Sequence, residues 1–168
     1  ATGSQQTSID NIKTAISTDI IPAIVSNFGA DYRLGLIAVK DRRFAGQALF
    51  DILEPMGLIN ETSFLTQMAG IVAAGGANSP EPTNTALEAT LNNTPTVDMT
   101  GASLGGNTIG TFRTNAAKAI ILVTDNTPSS LDDLYTNEDW LNADLLSMQA
   151  NAQGIQIFSY LTTSIEPA

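Results

Sequence analysis

Ala119-Ile120-Ile121-Leu122-Val123-Thr124, with Asp125 directly behind it, decides the fold. An unbroken apolar run of this length is what a central strand of a parallel sheet needs, because helices cover both of its faces. Downstream, Leu141 to Gln153 reads as a helix stopped by Gly154, and Ile155 to Tyr160 as another strand. Upstream, Thr83 to Leu91 reads as a short helix behind a loop at Ala77 to Pro82. Before that loop, Phe64, Leu65, Met68, Ile71 and Val72 put a helix over Glu61 to Ala74, stopped at Gly75-Gly76. Tyr32 to Val39 and Ala48 to Leu53 are short strands, the second closed by Pro55 and Gly57. At the front, Ile9, Ile12, Ile16, Ile20 and Ile24 form the stripe of an amphipathic helix over Ser8 to Asn27. Ser8 is its expected N-cap, Pro22 should end or bend its last turns, and Asn27-Phe28-Gly29 supplies the stop. Asn92 to Thr114 is rich in Gly, Thr and Asn and shows no clear period. Strands alternating with helices predict an α/β layer fold with right-handed crossovers.

The chain has 168 residues, which suits one domain, and 43% of them are hydrophobic, enough for a core. Seven basic and 17 acidic side chains give a formal net charge of −10. So few bases argue against nucleic-acid binding. After Lys118 there are seven acids and no base, so one end of the molecule is strongly acidic. The absence of cysteine excludes disulfides, zinc ribbons and thiol nucleophiles; the absence of histidine excludes Ser-His-Asp chemistry and imidazole ligands. No apolar run approaches the roughly 20 residues of a membrane span, so membrane insertion is not expected. Nor is there the basic and apolar leader of a secretory precursor. A charged content of 14% with abundant Asn, Thr, Ser and Gly matches an extracellular or cell-surface protein, and sequons fall at Asn60 and Asn92.

In open α/β sheets, ligands gather at the carboxyl ends of strands. Three segments are expected there: Ala1-Thr2-Gly3-Ser4, Asn78-Ser79-Pro80-Glu81, and Asp125. They offer hydroxyls and carboxylates with no soft ligand, a set suited to Mg²⁺, Mn²⁺ or Ca²⁺.

Thr2-Gly3-Ser4 before the first helix, Asp31-Tyr32-Arg33-Leu34-Gly35-Leu36, Gly75-Gly76-Ala77-Asn78-Ser79-Pro80-Glu81 and Ile120-Ile121-Leu122-Val123-Thr124-Asp125 occur in that order. In order and spacing the chain resembles a von Willebrand factor type A domain over nearly its whole length. The resemblance implies a Rossmann-like open, mostly parallel sheet flanked by helices, with a metal-ion-dependent adhesion site on its edge. It makes Thr2 and Ser4 the hydroxyl ligands, Glu81 the acidic ligand of the integrin-β-like and bacterial variants, and Asp125 the third-loop ligand. It also suggests a second cation at Asp41, Asn78 and Glu81. The motif's leading Asp would fall one position before Ala1, and the apolar strand that normally precedes it is absent, as are the family's last elements. Residues 1–168 are therefore expected to be a single domain truncated at both ends, a segment of a longer polypeptide. A gap is expected beside the central strand, to be filled by a neighbouring chain or by a segment outside this sequence.

Each candidate also has a plainer reading. Thr2 and Ser4 suit a cap and a turn, Asp125 a helix N-cap, and Glu81 the amino end of the Thr83 helix. Asp132-Asp133 and Glu138-Asp139 read as a solvated acidic face, Lys40 with Arg42-Arg43 as a solvated loop, and Arg113 as structural. Trp140 reads as a core or lid contact. Gly101 to Gly110 lacks the Gly-Lys-Ser/Thr of a phosphate loop. Ser4 has no histidine to activate it, and no acid/base pair stands out, so an enzyme is not expected. The leading expectation is an adhesion module whose divalent cation accepts a carboxylate from a protein ligand. The rival is a filament or surface-layer subunit whose sheet another chain completes.

Overall fold

The computed structural model describes residues 6–29, 31–40, 45–58, 60–72, 81–124, 128–131 and 136–161. The elements are α1 (Gln6–Ala15), α2 (Ile21–Phe28), β1 (Arg33–Val39), β2 (Phe50–Leu58), α3 (Glu61–Ala69), α4 (Thr83–Asn92), β3 (Thr96–Val97), β4 (Ser103–Gly105), β5 (Lys118–Thr124), α5 (Asn137–Ala152) and β6 (Ile155–Leu161). The fold is mixed α/β, as expected. Its strands form three two-stranded ladders: β1–β2 and β3–β4 antiparallel, β5–β6 parallel.

Pro22 does not end the first helical stretch. A π-helical stretch, Ile16–Ile20, lies between α1 and α2 and places Pro22 in the first turn of α2, where its missing N–H costs little. Gly29, at φ 61°, then stops the helix by donating its N–H to Val25 O at 2.9 Å.

Strand β2 runs through Pro55 and Gly57, past its expected end. The pairs Leu34↔Gly57 and Leu36↔Glu54 set Pro55 and Met56 against Gly35 alone. Such a bulge tolerates a proline and needs a small residue opposite: a Cβ on Gly35 would lie 2.8 Å from Met56 Cγ. Asn60 extends this ladder with its side chain, donating to Leu34 O at 2.7 Å and accepting from Leu34 N–H at 3.2 Å. That amide is committed inside the fold and is a poor glycan acceptor.

Helices cover both sides of the β1–β2 pair. Ile21, Phe64 and Met68 pack with Leu34 and Leu36 on one side. On the other, Leu49, Phe50, Ala86 and Ala89 pack with Ile37, Val39 and Ile52. A third cluster, Leu87, Leu91, Leu146, Ala150 and Ile155, seats α4 and α5 against Ile120 and Ile157. The opposite face of the β5–β6 pair leaves Ile121, Val123, Phe158 and Tyr160 exposed.

Among the described residues β5 pairs with β6 alone. Between β1 and β5 lies a cavity of about 1130 Å³, bordered by the isoleucine stripe of α1–α2 and by α4. At about 24 cal/mol per Å³, a sealed void of that size would cost roughly 27 kcal/mol, beyond the roughly 5–15 kcal/mol that holds a domain folded. It must therefore be open to water or to another segment of polypeptide.

Candidate functional site

Of the six candidate ligands, Glu81 alone falls among the described residues; Thr2, Ser4, Asp41, Asn78 and Asp125 lie outside them. Glu81 forms a parallel bridge with Pro128. Its carbonyl accepts hydrogen bonds from Ser129 N–H and Thr83 N–H, both at 2.7 Å, and Ser129 O accepts from Asn84 N–H at 3.0 Å. The start of α4 is thus stitched to the chain a few residues beyond Thr124, the last residue of β5. Glu81 and Pro128 thus lie side by side. Ser129 is fully buried and its Oγ has no hydrogen-bond partner, an orphaned hydroxyl beside Glu81.

Asp139 organises the same corner. Read from sequence as part of a solvated acidic face, it is only 3% exposed. One carboxylate oxygen accepts from Thr136 N–H at 2.9 Å and from the Thr136 hydroxyl at 3.2 Å, while the other accepts from Ser130 N–H at 2.9 Å. Its carbonyl accepts from the buried Asn84 amide at 3.0 Å. The Thr136-x-x-Asp139 spacing before a helix was the available signal, a capping box with Asp in place of Glu. Trp140, read as a core or lid contact, is 56% exposed.

A second carboxylate escaped sequence reading. Asp98 is buried and accepts from Thr100 Oγ at 2.6 Å, Gly46 N–H at 2.6 Å, Thr100 N–H at 2.9 Å and Ala102 N–H at 3.2 Å. These bonds, the Thr100 hydroxyl foremost, hold its carboxyl down to about 2, against the opposing effect of burial. The Asp98-Met99-Thr100-Gly101 order is an Asx-turn signature within the stretch that showed no period. The turn ties the β3–β4 hairpin to Gly46.

The basic residues divide. Lys40, read as solvated, pairs with Asp51. Arg113, read as structural, pairs with Asp31 and also donates from Nη2 to Asp31 O at 2.8 Å. Among the described residues, no three acidic side chains gather closely enough to hold a metal ion.

No protein-family model matches the chain, and no curated protein is significantly similar to it. Kinship to a family is not shown. What bears on function is the order of the motifs and the geometry at the end of β5.

Chemically, the residues at that corner carry oxygen: Glu81 and the buried Ser129 hydroxyl, with Asp125 next in sequence to Thr124. Such donors suit a hard cation.

Proposed function

We propose that the chain is a protein-binding module of the von Willebrand factor type A kind, with a Rossmann-like sheet and a divalent cation at its edge. The observation that supports this reading is the bridge from Glu81 to Pro128, a residue a few positions beyond the end of β5. Thr2, Ser4, Glu81 and Asp125 would supply oxygen ligands to Mg²⁺, Mn²⁺ or Ca²⁺, and Asp41 with Asn78 would serve an accessory cation. The metal leaves a coordination position for a carboxylate of a protein ligand. On a chain of net charge −10, a cation is the feature that makes this edge attractive to an acidic partner. The setting is extracellular or at the cell surface, and no catalysis is assigned.

Thermal melting in EDTA and in millimolar Mg²⁺, Mn²⁺ or Ca²⁺ tests the site. Saturation at about 100 times the dissociation constant stabilises by roughly 2.7 kcal/mol, or about 5–11 °C for a chain of this length. The rise should vanish in Asp125→Ala and shrink in Glu81→Ala. A melting point that ignores the cations, or a rise retained in both variants, would refute the assignment.

A further inference from the structure

Helix α5 departs from the pattern of a helix at a protein surface. Its inner side is ordinary: Leu146 and Ala150 are buried with Leu87, Leu91 and Ile155. The outer side should then be polar. Instead Leu141, Leu145 and Met148 are 62%, 61% and 68% exposed. They follow one another at steps of four and three, so they form a single stripe. At about 100° per residue, that stripe lies on the far side of α5 from Leu146 and Ala150. Elements that continue a layered α/β fold join the sheet or pack on its faces, beside α5 rather than outside it.

Acids frame the stripe. Helix α4 lies alongside α5 in the same direction: Asn84, in its first turn, donates to Asp139 O at 3.0 Å, and Asn92, at its end, accepts from Gln149 Nε2 at 2.6 Å. Glu88 stands midway between those two contacts on the same row of α4, level with the stripe. Glu138 is on that same side of the stripe and Asp144 on the other. All three are exposed, and among the described residues none is in an ion pair. Neither helix contains Lys or Arg. Exposed apolar side chains gathered in one patch and rimmed by polar ones mark an interaction surface.

We infer that the outer side of α5 docks a basic amphipathic helix of a partner protein. The guest lies along α5, and its Leu, Ile or Met side chains, at the same steps of four and three, pack among Leu141, Leu145 and Met148. Lys or Arg on one flank of the guest meets Glu88 and Glu138, and on the other flank meets Asp144. A second copy of this chain is a poorer occupant, because it would set one α5 against another with no base on either and a net charge of −10 on each copy. The contact uses no cation, so it stands or falls apart from the metal assignment.

Trp140, the chain's only Trp, is exposed immediately before Leu141 and reports on the surface. The test is a titration of the whole chain, in EDTA, with a Trp-free helical peptide as long as α5. The peptide carries Leu at steps of four and three with Lys on both flanks; the control has Glu in place of Lys. The Lys peptide should move Trp140 emission to shorter wavelength and should bind less tightly as NaCl rises from about 0.01 to 0.15 M. Leu145→Ser should weaken that binding by about fivefold to twentyfold while leaving the melting point unchanged, since the side chain it replaces is exposed. No emission change with the Lys peptide, or binding to Leu145→Ser as tight as to the unaltered chain, would overturn the docking surface. Equal binding of the Glu peptide would overturn the basic partner. A dimer in sedimentation that Leu145→Ser dissolves would make the occupant a second copy and overturn the partner as well.

Discussion

At the scale of single residues, Asp98 is the side chain whose chemistry reaches furthest. Its carboxyl is lowered from an ordinary 3.8 to about 2 by the hydrogen bonds it accepts from Thr100, Gly46 and Ala102. A depressed folded-state value means that the ionised carboxylate stabilises the fold above about pH 4, and that this contribution is lost as pH falls toward 2. Stability from urea melts should therefore drop across that window. Asp98→Asn should be less stable near neutral pH and should show a shallower drop. Parallel curves for the two proteins would mean that the bonds to Asp98 add nothing net. The residue escaped sequence reading because a single Asp in a Gly- and Thr-rich stretch has no periodicity; only its short-range turn pattern carries the signal.

At the scale of elements, periodicity was legible wherever a helix or strand has one apolar face, and boundaries were not. Asn137–Ala152, Thr83–Asn92 and Ile155–Leu161 lie close to where their spacing put them. Strand β2 overran its expected end because a bulge in long-range pairing, invisible locally, absorbs Pro55. Glu61–Ala69 stops short of its expected end at Ala74 because Gly70 takes the cap. The convergence of the Glu81 and Asp125 loops was inferred from strand order, and the structure brings Glu81 to Pro128; the other ligand positions lie outside the described residues. Asp139 was misread because its charge said solvent while its place at the third position of α5 said cap. Asp139→Ala removes acceptors for Thr136 and Ser130 in a buried setting, which costs about 1–3 kcal/mol. For a chain of this length that lowers the melting point by roughly 2–12 °C. Exchange at the Ser130 amide should accelerate as well. The exposed neighbour Glu138→Ala should change neither, and equal effects at both positions would show that α5 responds to charge rather than to the cap.

At the scale of the molecule, seven bases against 17 acids make the folded chain repel itself, with the carboxylates concentrated after Lys118. This bears on any cation response, since Mg²⁺ can stabilise by screening without occupying a site. Screening depends on ionic strength alone: the Debye length shrinks from about 30 Å at 0.01 M to about 8 Å at 0.15 M. NaCl over that range should raise the melting point, and the rise should level off once the screening length is shorter than the spacing between surface charges. It should be equal in the unaltered chain and in Asp125→Ala, apart from the loss of one charge. Mg²⁺ added on top of 0.15 M NaCl should then separate the two proteins, because binding grows with the logarithm of free cation while screening is already spent. If Mg²⁺ adds nothing above that background, the carboxylates act only as a diffuse field. If it adds the same to both proteins, the cation sits elsewhere than beside Asp125.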